Sequence, residues 1–525
     1  MRHFIERHAE QIVGVLSGWD RLRLRGTLRW LANVDGMRNY LWQAGVLLKD
    51  FKRHALEATG QIRQASERLA AAAGRPVIYL RSSATNKEAE AQRIAARDGI
   101  TEGLVCVLSC VELGWSYEVG PNRERKVLEL RGGQRKCLHY YFYLIDRRLG
   151  WMHLRMQTWF PFTLHVCVNG REWLARQLDA AGIGYRRRDN CLVDVADPRR
   201  AQRLLDRQLD MDWQALLSSL VRRLHPTHRR LFAEHPTEYY WSADESEWAT
   251  DVLFRSPQAL AALYPRLIRH GMEAFSSREV MRFLGRNVPT HAGVHGNFLG
   301  EVQSDLVARP EGLRLKHRLG RNSIKMYDKQ GSVLRVETTI NDARDMKVYR
   351  AKEGPDGDVP KTRAWRRLRK GVADLPRRAE ISQAANERYL NSLAAAEATT
   401  PLGKLAERVC RPAQWQGRRV RALNPLAPED SQLLAAICRG EFAINGFRNR
   451  DLRAILFSQT GCDPQQLRRQ SGAVTRKLRL LRGHGLIKKV PKTHRYVLTA
   501  QGTLIVNAIL AAQKADTNTL TKIAA

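Results

Sequence analysis

Between residues 126 and 168 the hydrophobic period of this chain changes to two, which constrains its fold more than any other feature. Alternating side chains suit strands with one buried face. Residues 126–131, 136–145, 151–159 and 162–168 read as an antiparallel meander. In 151–159, His153, Arg155 and Gln157 share one face, while Met152, Leu154 and Met156 share the other. In 162–168, Thr163, His165 and Cys167 oppose Phe162, Leu164, Val166 and Val168. In 136–145, Cys137, His139, Tyr141 and Tyr143 share a face. Laid side by side, these rows would make a sheet surface rich in His and Tyr. Such a surface suits single-stranded nucleic acid, with Tyr stacking on bases and Arg155 on phosphates. It equally suits a divalent metal held by His153 and His165. A solvated or helix-covered sheet face has the same pattern.

Around the meander the chain divides into regions. Residues 1–75 read as helical, with apolar Ile12, Val13, Val15 and Leu16, although Arg21 to Trp30 alternates Arg with Leu as a strand with one basic face would. Residues 76–111 form a strand–helix–strand unit, and 76–210 an α+β domain. Residues 211–350 read as a helical segment followed by a β-hairpin. Residues 351–425 form a basic helical linker that begins with the polar, turn-rich stretch 352–362. Residues 426–515 form a C-terminal unit. No internal sequence repeat is evident. The fold class expected is α+β multidomain: a helical N-terminal region, a central antiparallel or mixed sheet core, and a small C-terminal domain.

That C-terminal domain has its own signature. Phe447 to Tyr496 holds 13 Lys and Arg against two Asp, arranged as three helices and a hairpin. Residues 465–482 give a turn and a basic amphipathic helix, closed by Gly483-His-Gly485, because glycine tolerates the left-handed cap. This layout resembles a winged helix-turn-helix domain. The resemblance implies a third helix in a DNA major groove and a wing on the backbone. Its contacts would come from Arg468, Arg469, Arg476, Lys477, Arg479 and Arg482, with Lys488, Lys489, Lys492 and Arg495 on the wing.

The surplus charge is not confined to this unit. The formal net charge of +35 over 525 residues favours a polyanionic partner and salt-dependent binding. No run of about 18 apolar residues and no signal-peptide layout appears, so no membrane partner is expected. The eight cysteines form no CxxC pair, which suits free thiols in a reducing cytoplasm. Within residues 361–370, Trp365 sits among cations that include Arg366, as stacking plus phosphate contact requires. Residues 185–188 add a compact Tyr-Arg-Arg-Arg run. No GxxxxGK[ST], HExxH or GxSxG motif is present.

Two places could carry chemistry. Asp244, Glu247 and Asp251 are spaced i, i+3, i+7 and would share one face of a helix. In so basic a chain they could hold Mg2+ or Mn2+ for phosphodiester chemistry, or simply complement a helix dipole. The second place is the hairpin 321–340, where Lys325, Tyr327 and Lys329 alternate on one strand and Arg335, Glu337 and Thr339 on the next. Its Tyr327-Asp-Lys329 followed by Leu334-Arg-Val-Glu337 resembles a short motif of phage and plasmid rolling-circle replication initiators. That resemblance implies a nicking enzyme with a divalent metal, and Tyr327 and Glu337 as its catalytic residues. Without chemistry, Lys325, Tyr327, Lys329 and Arg335 would form a phosphate-contacting hairpin. Stretches such as 157–162, 169–176 and 421–426 resemble a bacterial family to which no function attaches. The expectation is a nucleic-acid-binding protein of mobile-element or replication type acting on duplex DNA. The alternatives are a metal-dependent nicking or transposition enzyme and a non-catalytic protein of structured RNA.

Overall fold

The computed structural model describes residues 1–285, 302–344, 346–351, 363–394, 402–439, 442, 446–457, 463–491, 493–513 and 515. Thirteen strands precede residue 341: β1 (Ile12–Thr27), β2 (Val77–Tyr79), β3 (Gly103–Asn122), β4 (Val127–Asp146), β5 (Gly150–Gln157), β6 (Leu164–Asn169), β7 (Tyr185–Arg188), β8 (Cys191–Val195), β9 (Tyr240–Phe254), β10 (Val302–Arg309), β11 (Gly312–Leu319), β12 (Asn322–Lys329) and β13 (Val333–Ile340). Eleven of them make one sheet in the order β10-β11-β12-β13-β9-β1-β6-β5-β4-β3-β2. Only the β2–β3 pairing is parallel. The α+β class read from the sequence is therefore the class observed.

The sheet is a topological duplication without a sequence repeat. In the first half, β1 leads through helices to the meander β3–β6, whose last strand returns to pair with β1. In the second half, β9 leads through helices to the meander β10–β13, and β13 pairs with β9. The halves join where β1 and β9 run antiparallel. Trp19 stands opposite Trp248 there, with their rings edge to face at 4.9 Å.

Eleven helices flank the sheet: α1 (Arg2–Arg7), α2 (Val34–Gln43), α3 (Phe51–Ala72), α4 (Lys87–Arg97), α5 (Gly170–Ala180), α6 (Pro198–Asp206), α7 (Trp213–Leu224), α8 (Thr227–Leu231), α9 (Pro257–Glu273), α10 (Ser277–Phe283) and α11 (Leu375–Leu393). In the first half, Met37, Tyr40, Phe51 and Ala55 share a core with Phe142, Leu154 and Val166. In the second, Leu260, Leu267, Val280 and Tyr389 share one with Ile324, Met326 and Val336. The opposite face of β3 and β4 is covered by α4, whose Ala91 and Ile94 pack with Cys106, Tyr141 and Tyr143. The polar rows expected on the meander form in register, with Tyr141 beside Arg155 and Arg155 beside His165. The tyrosines lie beneath α4 and are not open for stacking.

Three local readings are corrected. Residues 126–131 and 136–145, read as two strands of the meander, form the one long strand β4, which pairs along its length with β3. Ile12, Val13, Val15 and Leu16 lie in β1, not in a helix. β-branched residues interleaved with Gly14 and Gly18 favour strand over helix. Asp244, Glu247 and Asp251 lie in β9 rather than on a helical face. There the aromatic and β-branched residues Trp248, Thr250 and Val252, paired on both sides, outweigh the acidic spacing. The basic face read at Arg21 to Trp30 is present: Leu22 and Leu24 are buried, while Arg21, Arg23 and Arg25 point outward.

Beyond Trp19, β1 has no strand neighbour on its β6 side, because the chain leaves β6 to begin α5. Glutamines take the place of a strand. Ser17 N–H donates to Gln202 Oε1 at 2.7 Å, and Gln202 Nε2 donates to Ser17 O at 2.9 Å. Trp19 N–H donates to Gln208 Oε1 at 3.2 Å, and Gln208 Nε2 to Gly170 O at 3.1 Å. Past the sheet, β14 (Lys347–Ala351) and β15 (Arg363–Arg367) make a separate hairpin. Residues 352–362, read as a turn-rich linker, lie outside the described residues. The C-terminal unit has its own core, joining helices Pro428–Ile437, Asn449–Leu456, Pro464–Gly483 and Ala500–Ala512 to the hairpin Ile487–Lys489 with Tyr496–Leu498. No helix among the described residues is long and apolar enough to cross a membrane. No disulfide joins two of the described cysteines, and Cys462 lies outside the described residues.

Gly170 tests the step where β6 becomes α5. A Cβ there would lie 1.9 Å from Trp19 O, in backbone that cannot yield cheaply. Gly170→Ala is expected to cost about 1–3 kcal/mol in urea unfolding, whereas Gly60→Ala, which faces open space, should not destabilise.

Candidate metal centre

Four strands of the central sheet bring acidic and basic side chains to one buried place. β12 and β13 pair with Lys325 opposite Glu337 and Tyr327 opposite Arg335. β13 and β9 pair with Thr339 opposite Glu247 and Arg335 opposite Asp251. β1 adds Asp20 from the irregularity between Trp19 and Arg21, where one extra residue breaks the register with β9.

The contacts divide into two linked groups. Lys325 Nζ donates to Glu247 Oε1 at 2.9 Å and to Glu337 Oε1 at 2.5 Å. Thr339 Oγ1 also donates to Glu247 Oε1, and Arg21 approaches the same oxygen from the rim at 3.1 Å. In the other group Arg335 grips Asp251 with Nε and Nη2 at 2.6 and 2.9 Å and reaches Asp20 with Nη1 at 2.9 Å. Arg171, from the first turn of α5, adds a contact to Asp251 at 2.8 Å. Asn190, at the β7–β8 turn, donates from Nδ2 to Asp20 Oδ1 and accepts from Arg335 through its carbonyl.

Four buried carboxylates thus face three buried cations that touch them directly. The shortfall falls on Glu337, whose carboxyl is pushed up to about 7 by burial and then by Glu247, against the pull of Lys325. Burial alone would raise Asp20, but Arg335 and Arg171 outweigh it and hold that carboxyl below its ordinary value. Lys325 is held above its ordinary value because Glu337 and Glu247 outweigh its burial. One oxygen each of Asp20, Glu247 and Glu337 lies within 4.8 Å of the others, the single set of three or more such ligands among the described residues. Three carboxylate oxygens are the donor set that Mg2+ or Mn2+ prefers.

Of the residues singled out in the sequence, Glu247, Lys325, Tyr327 and Glu337 come together here. Tyr327 is buried, and its phenol is pushed up to about 12 by burial and then by Glu337, so it stays protonated. Lys329 lies 5.7 Å from the Tyr327 ring. Asp251 sits on the same face of β9 as Glu247 but about 13 Å further along at ~3.3 Å per residue, and its oxygens are taken by Arg335 and Arg171. Asp244 accepts from Arg25 at 2.7 Å and lies 3.8 Å from His165. His153 lies 3.9 Å from Glu88. Burial, then Arg23 and Arg155, pull His153 down to about 4; burial, then Arg155 and Arg25, pull His165 down to about 3. Neither histidine joins the carboxylate set. Arg155 is engaged by Glu112 at 3.0 Å. Asp20 and Arg171 had no local signal: one sits at a strand irregularity and the other begins a helix, and only the fold brings them in.

The basic residues of the C-terminal unit differ in availability. Arg468, Arg469, Arg476 and Arg479 are exposed and make no ion pair among the described residues. Lys488 and Lys489 are exposed on the hairpin. Lys477 lies 3.6 Å from Glu429, and Arg482 stacks 4.5 Å over Trp415. Arg495 is buried with its guanidinium 4.3 Å over Tyr349 of β14, so it joins the C-terminal unit to the core. Lys492 lies outside the described residues. Trp365 of β15 packs edge to face on Tyr349 at 5.8 Å, beside Arg366. Compared with known proteins, the chain matches no family model, no curated protein and no solved structure.

The raised Glu337 makes stability depend on pH. A carboxyl that titrates higher folded than unfolded binds more protons in the folded state, so its contribution is lost as pH rises. For Glu337 that loss runs between its ordinary value and about 7. Glu337→Gln is expected to remove this downward slope; denaturant midpoints across that window, wild type against variant, measure it.

Proposed function

We propose that this chain is a nucleic-acid-binding protein of mobile-element or replication type that cuts a strand at a divalent-metal centre built from Asp20, Glu247 and Glu337. The observation that carries this reading is the convergence of those three buried carboxylates beside Lys325 on a sheet face rimmed by Arg21, Arg23 and Arg25. Mg2+ or Mn2+ bound there would polarise the phosphoryl group and stabilise the leaving oxygen. Glu337 is the acid that the protein's own cations leave least compensated, so a dication would relieve its burial. Lys325, released from two carboxylates, would present its ammonium to the phosphate. The arginine row of β1 would hold the flanking backbone through charge-assisted hydrogen bonds. Tyr327, kept as a neutral phenol, suits hydrogen-bond donation at this centre better than nucleophilic attack.

The C-terminal unit supplies the grip in this reading. Helix, helix and basic helix followed by a hairpin is the layout of a winged helix-turn-helix domain, and the exposed Arg468, Arg469, Arg476 and Arg479 lie on its third helix. That helix would enter a major groove and the hairpin lysines would contact the backbone.

Incubation of the chain with supercoiled plasmid, single strands and structured RNA, with and without Mg2+ or Mn2+, tests the centre. Metal-dependent nicking of DNA is expected, reduced at least ~100-fold in Glu337→Gln while duplex affinity is kept. Cleavage that survives Glu337→Gln, or no cleavage of any DNA, would remove this reading, and a preference for RNA would redirect it.

Binding is tested separately. Arg476→Ala with Arg479→Ala should weaken duplex binding and lower the log–log salt slope by about 0.9 per lost phosphate contact. Fluorescence anisotropy between low and moderate salt reads both quantities.

A further inference from the structure

A second constellation lies apart from the carboxylate centre, where α7 ends and the chain turns through α8 towards β9. Its sequence is His225-Pro-Thr-His228. A cavity of about 550 Å³ opens there, lined among others by His225, His228, Thr237, Glu238 and Tyr239.

The hydrogen bonds assign the ring nitrogens. His228 Nε2 lies 2.9 Å from the Thr237 carbonyl, which can only accept, so Nε2 carries the proton and Nδ1 keeps its lone pair. His225 Nδ1 lies 2.9 Å from the Thr227 hydroxyl, which can accept its proton and leave a lone pair on Nε2. Neither His225 Nε2 nor His228 Nδ1 has a hydrogen-bond partner among the described residues, although both atoms are buried. His225 is 1 % exposed, which makes an unanswered acceptor there costly. The ring centroids are 5.7 Å apart. Two imidazoles on one ion with bonds of about 2.1 Å stand at a similar separation.

We infer that His225 Nε2 and His228 Nδ1 form a binding site for a divalent transition-metal ion of the zinc class, with water from the cavity completing its coordination. Imidazole nitrogens select such ions over Mg2+. The carbonyl of Thr237 and the hydroxyl of Thr227 fix the two rings as outer hydrogen bonds do in metal sites. Bound there, the ion would lock the α7–α8 corner, which the His228–Thr237 hydrogen bond already ties to the segment that enters β9, the strand carrying Glu247. The inference stands whether or not the chain cuts DNA.

Co2+ titration of the full chain, followed by visible absorption, tests it. A nitrogen-ligated band that saturates at one equivalent is expected in the wild type. It should persist in Glu337→Gln and weaken at least tenfold in His228→Ala. An unchanged titration in His228→Ala, or no such band in the wild type, overturns the site. Should His228→Ala fail to fold, Cu2+ electron paramagnetic resonance of the wild-type chain decides instead. Hyperfine splitting from two nitrogens supports the site, and its absence overturns it.

Discussion

The pairing of β1 with β9 is the interaction on which the rest of this structure depends. Each strand closes its own meander on one side, so each has one ladder edge left. Those two edges satisfy each other, and the apolar helices of both halves follow onto the same sheet. The Trp19–Trp248 contact sits at that seam. Without it neither half would have a covered edge strand, and a long bare edge is an aggregation hazard.

The same seam explains the chemistry of the centre. A sheet interior disfavours isolated charge, yet four carboxylates enter it from three strands. Arg335 answers two of them through hydrogen bonds, and Arg171 adds an ion contact to Asp251. Lys325 must serve the other two alone, with Arg21 only at the rim. The buried acidity is thus unevenly compensated, and Glu337 bears the difference. An ordinary structural ion network matches its charges. One left short of a cation beside three convergent oxygens is the arrangement a divalent ion would complete.

Local patterns revealed much of the fold. Period-two alternation located β5, β6, β12 and β13 and read the single strand β4 as two, and the strand–helix–strand reading of 76–111 placed α4 between β2 and β3. The polar rows of the meander were legible because strand register follows from short turns. What lay beyond the sequence was long-range. Asp20 and Glu247 reach the centre through a pairing between residues far apart in the chain, and no local period records it. The stretch containing Asp244, Glu247 and Asp251 read as helix because acidic spacing is a local signal, while the two strands that flank β9 are not. Tyr141 and Tyr143 read as a stacking platform because alternation shows which side chains share a face, and says nothing of a helix lying over it. Glu337 was legible through its hairpin motif, while Asp20 and Arg171 were not.

Gln202 and Gln208 have a consequence for how the molecule meets other chains. By offering amides where a twelfth strand would pair, they make the inner part of β1 chemically closed to any incoming peptide backbone. The sheet therefore cannot grow at its step. Another protein that recognises this molecule must read side chains there, because the main chain has already been spoken for.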